Sequence, residues 1–190
     1  MEYFLKHGEN PHQEGRVIID EDADDPLAIR HFKTPSGELL SDHVESVGWI
    51  FLTNLYRGVD VLNRVAAACE MNTGSVPQIC ILVQHGNTSG AACGPYDNVL
   101  RYAINTNYRA SYNSLLVTNV PITDELGYRL RQWMPAHRPF SGIVAPLIEE
   151  WGGSFFTRKK RKCRILHKPA LANVGLISLR PFLQVQSIRG

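Results

Sequence analysis

The sequence predicts one layered α/β domain, and three observations predict it. Short apolar runs rich in β-formers, Ile81–Val83, Leu115–Thr118 and Ser141–Pro146, suit strands of a buried sheet. Stretches with an apolar residue at every third or fourth position, the period of a helix face, lie before and between them. The two patterns alternate along the chain, as they do where helices cover a sheet. At 190 residues the chain is long enough for one ordinary core, and it shows no internal repeat or low-complexity segment.

Composition removes several classes of function. A hydrophobic content of 44% with 20% charged residues is that of a soluble globular protein. No apolar run reaches membrane-spanning length, and the opening ten residues lack the basic start and apolar core of a signal peptide. Cys69, Cys80, Cys93 and Cys163 are scattered without a C-x-x-C pair. That spacing argues against a disulfide framework or a structural zinc site and fits a reducing cytoplasm. A net charge of +2 is too small to imply nucleic acid. The expectation is a cytoplasmic protein with no metal, nucleic-acid or membrane partner.

In chain order, residues 4–15 form a polar, turn-rich arm carrying His7 and His12 around the Asn10-Pro11 step. Left alone, such an arm is simply solvated. The acidic run at 20–25 reads as an exposed connection. From Ser41 to about Glu70, Val44, Val47, Phe51, Leu55, Val59, Leu62 and Val65 mark one face of a long helix, bent at Gly58. Asn72–Pro77 is a loop feeding the central strand. A helix is expected over 95–107, opened by Pro95. Thr123 caps a second helix whose first turn carries Asp124 and Glu125. A short helix over 147–157 and strands at 163–167 and roughly 174–186 complete the chain. The basic run Arg158–Lys162 reads as a solvated surface or a helix end, with scope for a phosphate contact.

The chemistry concentrates where the central strand ends. After Val83 the chain turns polar at once, through Gln84, His85, Asn87, Thr88 and Ser89, with Gly86, Gly90 and Gly94 spaced among them. A buried strand thus delivers a histidine from its carboxyl end into a glycine-bounded loop. Ligands bind at strand carboxyl ends in open α/β sheets, and an imidazole titrates near neutrality. The plainer alternative is a strand-end histidine satisfied by the backbone.

Several of these stretches, in the same order, resemble the formyltransferase domain of bifunctional AICAR transformylase/IMP cyclohydrolase. Leu5-Lys-His-Gly-Glu-Asn-Pro-His-Gln13 is similar to that family's Leu-Arg-Tyr-Gly-x-Asn-Pro-His-Gln opening. Gln84-His-Gly-Asn-Thr-Ser-Gly-Ala-Ala92 resembles its Lys-His-x-Asn-Pro-Cys-Gly-Val-Ala loop. Ser111–Asn119 stands where the family has Ser-Phe-Gly-Gly and a strand ending in Asn. Ile143–Pro146 with Lys159, Lys160 and Arg164-Ile-Leu, and then Arg180–Gln186, match its later motifs. The resemblance implies a cytidine-deaminase-like three-layer α/β/α sandwich with a mixed central sheet. It also implies a homodimer with the arm near the 84–94 loop, and 10-formyltetrahydrofolate as formyl donor to a small-molecule amine acceptor. The family's formyltransferase has two such subdomains, of which this chain would supply the first. The parent fold's zinc signature, H-x-E…P-C-x-x-C, is absent.

Carried onto this chain, the resemblance makes His85 the base, with Asn87 orienting its ring or the formyl oxygen and Gln84, Thr88 or Ser89 supplying hydrogen bonds. Lys6, His7, Asn10 and His12 would grip the acceptor or its phosphate, with Tyr112 and Asn113 beside them. The departures fall in the site: Gln84 replaces the family's lysine, Thr88-Ser89 its Pro-Cys, Lys6 and His7 its arginine and tyrosine, and Tyr112–Ser114 its Phe-Gly-Gly. A changed acceptor, a non-catalytic half-site that binds folate or nucleotide, and a formyl-folate hydrolase all stay open.

Overall fold

The computed structural model describes residues 2–19, 27–95, 98–134, 140–150, 157–158 and 161–175. A small antiparallel pair, β1 (Glu2–Phe4) and β2 (Arg16–Ile18), brackets the arm. A 3-10 helix over Leu40–Ser46 leads into α1 (Trp49–Thr73), then β3 (Gln78–Gln84), β4 (Asn87–Gly94), α2 (Val99–Thr106), β5 (Leu115–Thr118), α3 (Asp124–Trp133) and β6 (Gly142–Ala145). Two short strands, β7 (Thr157–Arg158) and β8 (Arg161–Lys162), precede β9 (Arg164–His167).

The main sheet has the order β4-β3-β5-β6-β9. β3 runs antiparallel to both β4 and β5, while β5, β6 and β9 are mutually parallel. One face carries Ile79, Ile81, Val83, Leu115, Val117, Val144 and Leu166, packed under α1. The other carries Cys80, Leu82, Leu116, Ile143, Ala145 and Ile165, packed against α2 and α3 through Leu100, Ala103, Ile104 and Leu130. This is the expected three-layer α/β/α arrangement with a mixed sheet. Each strand is apolar on both faces because each face has its own helix layer.

Several boundaries differ from the sequence reading, for local reasons. The helix expected from Ser41 begins at Trp49. Val47 and Trp49 give their backbone groups to the arm: Lys6 N–H donates to the Val47 carbonyl (3.0 Å), and Trp49 N–H to the His7 carbonyl (3.1 Å). The His7 ring fills the space a β-carbon at Gly48 would need. α1 then runs unbroken through Gly58, whose missing side chain lets the helix settle onto Val117. It stops where Gly74 takes a left-handed φ of 73° and donates to the Glu70 carbonyl. Thr123 caps α3 as expected, accepting from Leu126 N–H at 3.2 Å.

The larger difference is at 84–94. The glycine-bounded loop is a two-residue turn followed by strand β4, and α2 starts at Val99. Gly90 is the reason the strand lies flat under α2, since a β-carbon there would collide with the Ala103 carbonyl. The described ends of the basic run pair as β7 and β8 rather than ending a helix. The helix expected over 147–157 and the strand at 174–186 fall largely outside the described residues.

Candidate functional site

His85 and Gly86 form the turn between β3 and β4, with φ of 51° and 74°. Two successive positive φ values define the tight primed turn that matches strand twist, in which glycine is easy and any other residue, histidine included, is uncommon. The turn is fastened on both sides. Asn54, buried on α1, accepts the Gly86 N–H on its Oδ1 at 2.8 Å. Gln84 donates its Nε2 to the Tyr112 carbonyl at 2.9 Å. The His85 side chain is exposed. Ser89 is the extra residue of a bulge, since Leu82 faces Gly90 while Val83 faces Thr88.

Because β3 opposes β5, the carboxyl end of β3 lies at the amino edge of β5, β6 and β9. The rule that places ligands at strand carboxyl ends therefore does not describe this position. What gathers at this edge instead is a row of turns and strand starts. Val83, Leu115, Gly142 and Arg164 are successive cross-strand neighbours. Beyond them Ser114 accepts the Ser141 N–H on its carbonyl (2.9 Å), and Ser114 Oγ donates to the Ser111 carbonyl (2.7 Å). Asn113 is left-handed at φ 58°. Ser141 Oγ is buried with no hydrogen-bond partner among the described residues. Arg164 lies over the Phe51 ring and donates to the Ser46 carbonyl at 2.5 Å. Burial lowers its guanidinium pKa, and these contacts hold the cation at the edge.

The arm reaches the same end of α1. His7 meets Trp49 and Asn54 holds the turn, five residues further on, or about 8 Å of helix rise. The Asn-Pro-His-Gln motif is itself a closed turn. Gln13 Oε1 accepts from both Asn10 N–H (3.0 Å) and Asn10 Nδ2 (3.2 Å), while Gln13 N–H returns to the Asn10 carbonyl. Proline at its second position suits that turn. His12 and Lys6 are exposed beside it, and His7 Nδ1 lies 2.9 Å from the Gly8 carbonyl.

The structure thus brings Gln84, His85, Tyr112 and Asn113 together, with His7 and the arm one helix turn and a half away. Asn87 contacts His85 through the backbone, Nδ2 donating to the His85 carbonyl at 3.3 Å rather than to its ring. Thr88 is exposed, and Ser89 Oγ turns back to the Leu82 carbonyl at 3.4 Å. Sequence reasoning missed Asn54, Ser141 and the fastening role of Gln13. Asn54 had one available signal, an amide between Phe51, Leu55 and Gly58 on the apolar stripe of a predicted helix. Among the described residues no group of three or more His, Cys, Asp or Glu is placed to hold a metal, and no helix is long and apolar enough to cross a membrane.

No curated protein matches the chain. A solved structure of a candidate formate dehydrogenase accessory protein from Desulfotalea psychrophila aligns over 85% of each chain, at 12% identity and a TM-score of 0.38. A likeness at that level carries no argument about fold or function. The match that does covers nearly the whole sequence: residues 2–182 fit the AICARFT/IMPCHase bienzyme family. The chain, with its Asn-Pro-His-Gln turn and its fastened His85, belongs to that family.

Proposed function

We propose that this chain is a folate-dependent formyltransferase domain that acts on a small-molecule amine, with His85 as general base. The observation that carries this reading is the His85–Gly86 turn, in which an exposed imidazole is held at a costly positive φ by Asn54 and by the Gln84–Tyr112 bond. Backbone strain of this kind persists where the surroundings impose it, and it concentrates at sites of function. The family membership supports the reaction class.

10-Formyltetrahydrofolate would supply the formyl carbon. The exposed amides of Asn87 and Asn113 and the half-exposed Tyr112 offer polar and aromatic groups suited to its pterin and amide parts. His85 takes the proton that the amine loses as it becomes a nucleophile. Asn87 keeps the turn closed by holding the His85 carbonyl. The exposed Lys6, with Arg164 beyond it, supplies positive charge for an anionic acceptor, and the exposed His12 and half-buried His7 stand beside it. As the resemblance implied, we place the working unit as a homodimer whose second copy screens the site from water.

One observation favours a second reading, a domain that binds without transferring. Gln84 stands where the family has lysine, and its amide is already committed to the Tyr112 carbonyl. No cation is therefore delivered beside His85 from that position. The test is to incubate the full chain with 10-formyltetrahydrofolate and a panel of phosphorylated and unphosphorylated amines. Formylated amine and tetrahydrofolate in equal amounts are expected. Tetrahydrofolate with free formate would identify a hydrolase, and donor binding without turnover would identify the binding domain.

A further inference from the structure

We propose that Cys69 and Cys93 form a reversible dithiol–disulfide site that ties α1 to the edge strand β4. The inference goes beyond formyl transfer and does not rest on it. Cys93 lies directly opposite Ile79 in the β3–β4 ladder, and residues directly opposite share a face of the sheet. Ile79 packs in the cluster beneath α1, so Cys93 is on the α1 side. On α1, Cys69 follows the buried Ala66 by three residues and Leu62 by seven, which places it on the same stripe.

The two also come level. A β-carbon at Gly58 would touch Val83, which anchors the helix to the strand at that point. Eleven residues along α1 from Gly58 to Cys69 is about 16 Å of rise. Four residues back along β3 from Val83 to Ile79 is about 13 Å. The short Gly74–Pro77 connection makes the two elements antiparallel, so both paths lead to the same end. The thiols meet there: burial raises the Cys69 pKa first, and the charge of Cys93 and a hydrogen bond to it raise it further.

Exposure separates this pair from the other cysteines. Cys93 is exposed and Cys69 half-buried, whereas Cys80 and Cys163 are buried. Burial pushes both of those thiols up, Cys163 to about 12, which removes them from thiolate chemistry at neutral pH. The oxidant is a small-molecule disulfide. Cys93, having lost its proton, attacks one sulfur of it and expels a thiolate, leaving a mixed disulfide. Cys69, deprotonated in turn, attacks the Cys93 sulfur and expels the second thiolate. Two protein thiols are oxidised by two electrons, and one disulfide becomes two thiols after taking up the two protons. The bond closes the segment from Cys69 to Cys93, which contains β3 and the His85 turn.

The experiment treats the full chain with oxidised glutathione and follows intact mass, a non-reducing peptide map and thermal unfolding. The expected product has lost two hydrogens, yields a Cys69–Cys93 linked peptide, melts roughly 5–10 °C higher, and reverts with dithiothreitol. Cys69→Ser should stop at a glutathione adduct on Cys93, and Cys93→Ser should not react. A persistent adduct on Cys93 in the unaltered chain, a dimer linked through Cys93, or an unreacted chain would each overturn the proposal.

Discussion

His85 adopts a backbone conformation that costs a non-glycine residue about 1 kcal/mol or more, and its neighbours hold it there. That separates its chemistry from its contribution to the fold. Asn-Gly is the preferred pair for such a turn. His85→Asn is therefore expected to leave the melting temperature unchanged or raise it by a few degrees while lowering single-turnover transfer about 10²–10⁴-fold. Parallel loss of both would mark the histidine as structural. Asn54 behaves in the opposite way. Its replacement by Leu leaves the Gly86 N–H without an acceptor, and chemical denaturation should show a loss of about 1–3 kcal/mol. The histidine was legible in the sequence because polar residues follow an apolar strand so abruptly. Its strain was not, since φ depends on the hairpin that pins the turn. The turn of Asn10–Gln13 was likewise visible only as a motif; its amides are spent largely on each other.

At the scale of elements, the helices and the apolar strands were readable from periodicity, and β4 was not. Asn87–Gly94 is built of small residues without alternation, because an edge strand pressed under α2 at Gly90 has little to bury. The start of α1 was also hidden, since the arm that takes up the Val47 and Trp49 backbone groups lies some forty residues earlier. Gly58 gives a test of how closely α1 and the sheet fit. Alanine is a better helix former than glycine by about 1 kcal/mol, yet a β-carbon here would lie 2.5 Å from Val117 Cγ2. Overpacking costs about 1–3 kcal/mol, so Gly58→Ala should destabilise. Adding Val117→Ala should recover part of the loss in a double-mutant cycle, and strict additivity would show that the helix simply moves away.

For the whole molecule, the direction of β3 decides where the candidate site lies. Strand direction is set by pairing between residues some thirty positions apart, as in Val83 with Leu115, and hydrophobic pattern does not encode it. The other edge of the sheet is closed by Lys33, which exchanges backbone hydrogen bonds with His167. Burial lowers the His167 pKa from 6.5, and its Nε2 is buried without a hydrogen-bond partner among the described residues. The unfolded chain then binds the proton more readily than the folded one. Stability from this group is complete above about pH 6.5 and falls as the pH drops towards the lowered native value. Denaturation midpoints between pH 7.5 and 5 should decline, and His167→Gln should flatten that decline.

α1, β3 and β4 follow one another directly in the chain and pack on one another, so the turn bearing His85 and its Asn54 fastening come from residues 49–94, with only the Gln84–Tyr112 bond reaching outside them. Contacts between near neighbours in sequence close with little loss of chain entropy, and they form early in folding. β6 and β9 are joined to the sheet by no tight turn such as the one that links β3 to β4, and they join later. During refolding, pulse-labelled amides of β3 should gain protection before those of β9. The end of the molecule that carries the candidate site would then take shape while the far half of the sheet is still open chain.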